Sequence, residues 1–254
     1  MERLFPSPAQ QAVDVDDIEG FLRSYTPPVP SPGRAHLRAN MITTLDGSAV
    51  GPDGRTGSIN TEADRATFAR LRGLADVVLV GARTCTIEGY GRPEPEPELQ
   101  SYRCEHNKAP AAVLAIVSGS LAIPLDAPFL TEGPPPPLIF TCAAAPQSRR
   151  GQVAERAEVI IAGDDDVELP VVIDHLVSRG LTQVLSEGGP TLFAGLIRDG
   201  LLDELCLTVA PVVVGGHGLG LTSGGAIDTT SFTLTQVLEQ DSALLTRWQR
   251  QPPT

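Results

Sequence analysis

Two adjacent glycines, Gly188 and Gly189, separate an apolar run from a helix-like segment in the stretch Ser-Glu-Gly-Gly-Pro-Thr. Glycine has no Cβ, so a ligand can approach the backbone closely at such a turn. Pro190 suits the first position of a helix, where no N–H is needed, and the unpaired N–H groups of a helix N-terminus favour phosphate. The turn therefore indicates either a phosphate site or an ordinary tight turn of an α/β domain, and it matches neither GxGxxG nor a P-loop.

The elements that must position this turn alternate between apolar strands and amphipathic helices. The strands predicted before the closing pair are His36–Thr44, Asp76–Val80, Ala111–Val117, Leu138–Cys142, Glu158–Ala162, Thr182–Ser186 and Leu207–Val214. The predicted helices run from Asn60 or Thr61 to Gly73, over Gln147–Ala157 and Leu169–Arg179, and from Pro190 to Gly200.

The chain closes with two alternating segments, Ser231–Glu239 and Ala243–Arg250, which predict an antiparallel pair at a sheet edge. The whole pattern predicts one α/β domain over residues 34–254, with a mainly parallel central sheet, antiparallel C-terminal edge strands and flanking helices. Ligands of such sheets bind at the carboxyl ends of the strands. Three loops with suitable residues follow predicted strands: Asp46-Gly47, Gly81–Thr84 and Glu187–Thr191.

Two segments fall outside the regular alternation. Residues 1–33 predict an N-terminal arm with one helix over Val13–Tyr25, followed by a stiff proline-rich linker. The stretch Glu88–Pro110 interleaves prolines with glutamates, which predicts a mobile surface insertion that could lie over the site.

Composition narrows the class of protein. A formal net charge of −12 over 254 residues argues against a general nucleic-acid binder. The sequence shows no secretory h-region and no long apolar run, so we expect neither a signal peptide nor a membrane span. The four cysteines form no CxxC pair and are typical of reduced, mostly buried thiols in a cytoplasmic protein. No metal site is predicted, because the histidines lack ligand spacing: His36, His106, His175 and His217.

Three segments in order resemble a known family: NMITTLDG, LRGLADVVLVGART and LSEGGPTLFAGLIRDGLLDELCLTVAPVVVGG. They are similar to the reductase domain of the bifunctional deaminase-reductase family of riboflavin biosynthesis, over about Arg34 to the C-terminus. The EGGPTL turn with its DEL…APVVVGG continuation is the most specific part. No deaminase zinc motif is present, so the chain resembles the reductase half standing alone.

The resemblance implies a dihydrofolate-reductase-like fold and reduction of 5-amino-6-(5-phosphoribosylamino)uracil by hydride transfer from NADPH. Ser118, after the strand Ala111–Val117, is expected to hold the 2′-phosphate of that cofactor. The other residues expected to bind NADPH are Thr44, Gly47, Gly81, Thr84, Glu187, Gly188, Gly189, Pro190, Thr191 and Leu192.

On the substrate side the resemblance is partial. Where the family has an acid in an Asp-Asp-Pro run, this chain reads Glu88-Gly89-Tyr90. The family arginine for the ribose phosphate falls in the Pro/Glu run, and Arg92 is its approximate counterpart. Thr56 and Ser58 stand near the family's Ser-x-Trp segment, and Arg72 matches an arginine that contacts substrate.

A hydride reduction also needs a proton, which a carboxylic acid of near-neutral pKa can deliver. Asp46 and Glu88 are the catalytic candidates. Asp46 fits an Asx turn before Gly47 equally well, and Glu88 fits a solvated loop acid. Arg72 could instead complement its helix dipole, while Asp203-Glu204 is interpreted as structural.

Three functions stay open at this point. The chain could reduce the pyrimidine, or a pteridine such as dihydrofolate on the same fold, or bind NADP without catalysis. The resemblance also implies a homodimer, because alternating edge residues such as Thr233–Leu238 need a partner or a cover.

Overall fold

Ten β-strands form one sheet in this computed structural model, which describes residues 1–6, 17–133, 135–216 and 218–251. In chain order they are β1 (Glu2–Phe5), β2 (His36–Thr44), β3 (Val77–Gly81), β4 (Val113–Val117), β5 (Leu138–Thr141), β6 (Glu158–Ile161), β7 (Gln183–Ser186), β8 (Glu204–Ala210), β9 (Phe232–Gln240) and β10 (Ala243–Arg250). Across the sheet the order is β1-β9-β10-β8-β2-β7-β3-β4-β5-β6. The pairs from β8 to β6 are parallel and those from β1 to β8 antiparallel, which confirms the predicted fold class.

Helices cover both faces of this sheet. They are α1 (Ile18–Tyr25), α2 (Glu62–Leu74), α3 (Ala82–Ile87), α4 (Gln100–Glu105), α5 (Pro128–Thr131), α6 (Gln147–Ala154), α7 (Leu169–Ser178) and α8 (Pro190–Arg198). Short 3-10 turns add Thr56–Ser58 and Pro97–Leu99. Thr61 caps α2 by accepting the Asp64 N–H at 3.1 Å, which selects one of the two predicted starts.

The alternation of strand side chains divides the core into two layers. In β3, Val78 and Val80 join the cluster that contains the buried residues of α1, α2 and α4. Val77 and Leu79 point to the opposite cluster, which contains the buried residues of α7 and α8. A strand buried on both faces reads as a continuous apolar run, so the fully apolar sequence of β3 is what this central position requires.

The N-terminal segment contributes a strand that the sequence did not indicate. β1 pairs with the end of β9 at Val237, Leu238 and Glu239, so only the last residues of Thr233–Leu238 receive a cover from within the chain. The predicted helix over Val13–Tyr25 begins only at Ile18 in the described residues, since its first positions lie outside them. Phe21 and Tyr25 of α1 are 1% and 2% exposed, and both belong to the core.

A buried carboxylate ties this segment to the sheet. Glu204 on β8 is fully buried and lies 2.8 Å from Arg38 on β2 and 3.0 Å from Arg247 on β10. Arg247 also donates to the backbone carbonyl of Ser24 and stacks 5.1 Å from the Tyr25 ring centroid. Burial alone would raise the pKa of Glu204, but the two guanidinium groups hold it well below its usual value. The structural interpretation of Glu204 is thereby confirmed.

The stretch Glu88–Pro110 is not a mobile insertion, contrary to prediction. It contains α4, and Leu99, Tyr102 and Arg103 are buried. The Arg103 guanidinium donates to the carbonyl oxygens of Gly73 at 2.9 Å and Ala75 at 2.8 Å, where α2 ends. An arginine at a helix C-terminus satisfies carbonyls that lack intrahelical partners, so the segment is anchored to α2.

The strand predicted over Leu207–Val214 lies three residues earlier, as β8. Its pairing with β2 ends at Ala210, because Pro211 has no N–H for the ladder. Residues 211–214 run on as a loop, and Leu45 N–H donates to the Val212 carbonyl at 2.9 Å.

No helix in the described part of the chain is long and apolar enough to span a membrane. The cysteines are all free thiols, and Cys85, Cys142 and Cys206 are buried while Cys104 is exposed. The prediction of mostly buried thiols is confirmed.

Replacing Glu204 by Gln should lower the free energy of unfolding by about 3–5 kcal/mol, because two buried guanidinium groups lose their counter-charge. Urea denaturation measures this change. Glu155→Gln is the matched control, because Glu155 pairs only with the neighbouring Arg156 at the surface and should cost less than about 1 kcal/mol. Equal midpoints for the two variants would show that the cluster is not stabilising.

Candidate functional site

A cavity of about 490 Å³ opens at the carboxyl ends of β2, β3 and β7. This is the position at which parallel α/β sheets bind ligands. The sequence-predicted residues that line it are Thr56, Arg72, Gly81, Thr84, Glu88, Glu187, Gly189, Pro190, Thr191 and Leu192. The structure thus brings together the glycine turn, α3 (which directly follows β3) and the last turn of α2.

The glycine turn packs directly against the end of β3. Gly81 N–H donates to the Gly188 carbonyl at 2.8 Å, and a Cβ on Gly189 would lie 2.3 Å from the Thr84 hydroxyl oxygen. Only glycine leaves this approach open. Gly81–Thr84 was predicted as a loop, but α3 begins at Ala82 and places Thr84 in a helical turn.

The start of α8 has the character of an anion site. Its N-cap is Gly189, which provides no capping side chain, so the first backbone N–H groups have no side-chain acceptor there. Pro190 fills the first helical position, as predicted. Arg83 also lines the cavity and its side chain is exposed. A helix N-terminus, a cradle that any Cβ would fill and a nearby cation suit the pyrophosphate of a dinucleotide.

Arg72 and Glu187 meet in a two-pronged ion pair. Arg72 Nε and Nη2 donate to the two carboxylate oxygens of Glu187 at 2.7 and 2.8 Å. The guanidinium lies 4.2 Å from the Phe68 ring centroid and 5.1 Å from that of Tyr90. Burial alone would lower the pKa of Arg72, but the Glu187 carboxylate raises it above the usual value. Arg72 is therefore fixed beside the turn, with its side chain only 17% exposed.

Glu88 lines the cavity near the 3-10 turn Thr56–Ser58. Its Oε1 accepts the Thr56 N–H at 2.8 Å, which orients the carboxylate. Burial and the Glu187 charge raise the pKa of the neighbouring Tyr90 well above the usual value, so Tyr90 stays a neutral phenol. Of the two predicted acids, Glu88 is the one that the structure brings to the cavity.

Asp46 does not reach the cavity. Its carboxylate accepts the Thr44 hydroxyl at 2.5 Å and the Gly215 N–H at 2.7 Å. The Thr44 hydrogen bond, with those from the backbone, lowers the pKa of Asp46, the opposite of what a proton donor needs. Gly47 has a φ of +85° and completes the turn. Thr44, Asp46 and Gly47 therefore form a turn that holds the 214–215 loop, and none of the three lines the cavity.

Four further predicted residues also lie outside the cavity lining. One is Gly188, whose carbonyl accepts the Gly81 N–H within the glycine turn. The Ser118 hydroxyl accepts the Leu121 N–H at 3.1 Å and so caps a local turn. Ser58 donates to Asp53 at 2.6 Å on the surface. The backbone N–H of Arg92 donates to Glu132 at 2.8 Å. Each of these groups is engaged in local structure, and the structure does not bring them to the site.

One face of α2 supplies residues that the sequence reasoning missed. Asp64 and Phe68 line the cavity together with Arg72 at four-residue spacing on α2, and Asn60 lines it from just before the N-cap Thr61. That spacing places side chains on one helical face, and it was readable in the sequence once the helix was predicted. Asp64 is 3% exposed, and burial raises its pKa to about 6.

Asp64 makes stability depend on pH. Its pKa is about 6 in the folded chain against a usual 3.8, so the folded protein holds this proton more tightly. The free energy of unfolding should therefore fall as the pH rises from about 4 to above 6, by up to about 3 kcal/mol. Asp64→Asn should remove this decline and be the more stable protein at about pH 8. Parallel pH profiles of urea denaturation for both proteins test this, and identical slopes would contradict it.

Within the described residues, no group of three or more His, Cys, Asp or Glu side chains could hold a metal ion.

Residues 35–246 match the family model described as the RibD C-terminal domain. The 2,5-diamino-6-ribosylamino-4(3H)-pyrimidinone 5′-phosphate reductase of Archaeoglobus fulgidus is 28% identical over 72% of this chain and 84% of that protein. The enzyme of the same name from Methanothermobacter thermautotrophicus is 29% identical over 77% of this chain and 87% of its own length.

Solved structures agree with these relatives. A pyrimidine reductase-like protein from Corynebacterium diphtheriae superposes with a TM-score of 0.80 at 25% identity, over 86% of this chain and 93% of that one. The RibD reductase domains share the fold, and membership of a reductase family implies a nicotinamide cofactor. The chain belongs to the RibD C-terminal domain family of oxidoreductases.

Proposed function

We propose that this protein is an NADPH-dependent reductase that acts on a ribosylaminopyrimidine 5′-phosphate of riboflavin biosynthesis. One observation carries the proposal: the cavity at the strand ends joins a glycine turn fit for a dinucleotide to the polar face of α2. The names of the relatives support the same substrate class.

The residues of the glycine turn would hold the cofactor. The backbone N–H groups of Thr191 and Leu192, at the start of α8, would hold the pyrophosphate, and Thr84 lies beside the Gly189 backbone. Arg83 would supply a positive charge to the phosphate groups of the cofactor. When bound, NADPH would supply a hydride to an electrophilic carbon of the substrate. Holding both partners in one cavity provides the close approach that such a transfer requires.

Glu88 would hold or relay the proton that the reduction requires. Its carboxylate lines the cavity and is oriented by the Thr56 N–H, so it can hold or relay a proton at a nitrogen or oxygen beside the reduced carbon. Arg72 would contact substrate only through the edge that Glu187 leaves open. Its main role is to position α2 against the turn.

NADPH oxidation, followed by its near-ultraviolet absorbance, tests the function with two substrates side by side. One is the 2,5-diamino-6-ribosylamino-4(3H)-pyrimidinone 5′-phosphate named for the relatives, and the other is dihydrofolate. We expect turnover of the pyrimidine. Turnover of dihydrofolate alone would assign the protein to the pteridine reductases, and NADPH binding without turnover of either would make it a cofactor-binding protein.

We also propose that the protein is a homodimer. The support is a group of exposed apolar side chains on the adjoining loops after β2 and β8: Leu45, Val212, Val213 and Leu219 are 64%, 41%, 69% and 44% exposed. Exposed apolar groups of this kind mark interaction surfaces. Sedimentation of the protein should give a dimer mass that Val213→Glu reduces, and a monomer mass for the unaltered protein would refute the assembly.

We also propose that the protein is located in the cytoplasm. Four free thiols, one of them exposed, suit a reducing compartment. Cell fractionation tests this location, and recovery of the protein outside the cytoplasmic fraction would contradict it.

Gly189→Asp should weaken NADPH binding by at least about 100-fold, or about 3 kcal/mol. The new side chain meets Thr84 and brings a negative charge to the phosphate seat. Gly151→Asp is the control, since a Cβ there meets nothing within 4 Å. Fluorescence titration with NADPH measures affinity, and circular dichroism establishes folding. Unchanged affinity in the folded Gly189 variant would remove the cofactor from this turn.

Glu88→Gln should lower kcat by about 100-fold, the scale of general acid–base catalysis, while the Kd for NADPH stays within about two-fold. The amide keeps an oxygen for the Thr56 N–H but cannot deliver a proton as a carboxylic acid does. Glu98→Gln, at an exposed position of the same stretch, is the control. Undiminished kcat in the Glu88 variant would exclude it as the proton relay.

A further inference from the structure

Tyr90 lines the cavity, yet neither the hydride nor the proton of the proposed reaction needs its phenol. It ends the segment Glu88-Gly89-Tyr90, which stands where the similar family has an Asp-Asp-Pro run. A proline there would offer neither an aromatic ring nor a hydroxyl group, so the resemblance does not account for this side chain. Its surroundings in the fold indicate a role of its own.

The end of α3 fixes the position of Tyr90. Gly89 has a φ of +68°, the left-handed conformation in which helices often end. The Tyr90 N–H donates to the Cys85 carbonyl at 2.9 Å, which is the 6→1 hydrogen bond typical of a Schellman motif. Tyr90 also packs against the hydrophobic cluster to which Cys85 belongs, and such an apolar contact commonly accompanies the motif. This helix ending holds Tyr90 and the preceding Glu88 in one fixed relation.

The Tyr90 side chain meets the ion pair that joins α2 to the glycine turn. The Arg72 guanidinium carbon lies 5.1 Å from the Tyr90 ring centroid, within the range of a cation–π contact. The Tyr90 hydroxyl lies within hydrogen-bonding reach of the Arg72 guanidinium and the Glu187 carboxylate. Because the phenol is neutral, it can donate its hydrogen to that carboxylate. Tyr90 is thus in contact with both partners of the pair.

Glu88, two residues earlier, contacts a different element. Its Oε1 accepts the Thr56 N–H at 2.8 Å, at the start of the 3-10 turn Thr56–Ser58. A short segment of backbone therefore connects the ion pair beside the cofactor turn to the candidate proton relay. Proton transfer requires the carboxyl group within hydrogen-bond reach of the accepting atom, so a displacement of this segment would slow the reaction.

We propose that Tyr90 is a positioning residue, which keeps the Glu88 carboxylate in its place relative to the cofactor turn by anchoring residues 88–90 to the Arg72–Glu187 pair. This inference rests on the proposed function of Glu88. Arg72 and Glu187 keep their own two-pronged hydrogen bonds without Tyr90. Loss of the Tyr90 hydroxyl should therefore affect the chemical step more than the affinity for NADPH.

The position of Glu88 can be followed without any substrate through the Thr56 amide. Hydrogen exchange at Thr56, resolved by NMR, reports on the hydrogen bond to Glu88 Oε1. Tyr90→Phe keeps the ring and removes only the hydroxyl group. It should speed exchange at Thr56 by about ten-fold, the scale of one hydrogen bond.

Tyr102→Phe is the matched control for this measurement. It removes a hydroxyl group from the same hydrophobic cluster, but Tyr102 does not line the cavity. Exchange at Thr56 should stay within about two-fold in this variant. Unchanged exchange in a folded Tyr90→Phe protein, or equal acceleration in both variants, would overturn the inference whether or not the protein is a reductase.

Turnover then tests whether Tyr90 acts through Glu88. Tyr90→Phe should lower kcat for the ribosylaminopyrimidine phosphate by about ten-fold and leave the Kd for NADPH within about two-fold. In the Glu88→Gln background the same change should cost less than about two-fold, because residues that act as a unit have non-additive effects.

The outcomes separate this inference from the function beneath it. An equal loss of kcat in both backgrounds would refute action through Glu88 and leave the reductase function standing. Faster exchange at Thr56 in Tyr90→Phe, in a protein that does not turn over even when unaltered, would refute the reductase function and leave the placement of Glu88 by Tyr90 standing.

Discussion

The ion pair between Arg72 and Glu187 fixes the geometry on which the site depends. Glu187 belongs to the glycine turn after β7, and Arg72 closes α2, so the pair joins the two walls of one cavity. Both groups are largely withdrawn from water, and either charge alone would be costly to bury. The two-pronged geometry sets orientation as well as distance. The phosphate-binding turn and the polar face of α2 therefore keep one relative position.

A second buried carboxylate, near the amino-terminal ends of β2 and β8, also holds separate elements together through ion pairs. Glu204 holds Arg38 and Arg247 together, and Arg247 reaches α1 through Ser24 and Tyr25. The contrast with Asp64 is instructive. Glu187 and Glu204 have cationic partners within the protein, whereas Asp64 is equally buried and has none in the described residues. Burial without a counter-charge raises the pKa of Asp64 to about 6.

Periodicity and glycine chemistry were sufficient to predict most of the fold. The alternation of apolar strands and helices predicted β2 to β7 within a few residues, and the Gly-Gly-Pro turn predicted the start of α8. Local pattern could not show that β1 pairs with β9, because that contact joins residues more than 230 positions apart. It also failed for α4, where a Pro/Glu-rich approach hides a helix that Arg103 anchors to distant carbonyls.

The parts of the candidate site that depend on backbone geometry could be predicted from the sequence. The roles of its acidic residues could not, because they depend on the side chains that each acid meets in the fold. Glycines beside a helix start have few alternatives, so the turn and Thr84 were found. Asp46 and Asp64 looked alike in sequence, as acids after a turn and at a helix start. Their difference lies in tertiary surroundings. Asp46 is exposed and bonded to Thr44 and the 214–215 loop, while Asp64 is buried and its Oδ1 has no hydrogen-bond partner among the described residues.

Hydrogen exchange of the backbone amides tests most directly whether one cavity serves two ligands on two walls. It would be measured for the free protein, with NADP⁺, and with NADP⁺ plus the 2-amino ribosylpyrimidine phosphate. NADP⁺ alone should protect residues 187–193 and 81–84, and the pyrimidine should add protection over residues 56–68. Protection by NADP⁺ that spares 187–193, or pyrimidine protection confined to a surface away from α2, would contradict the shared cavity.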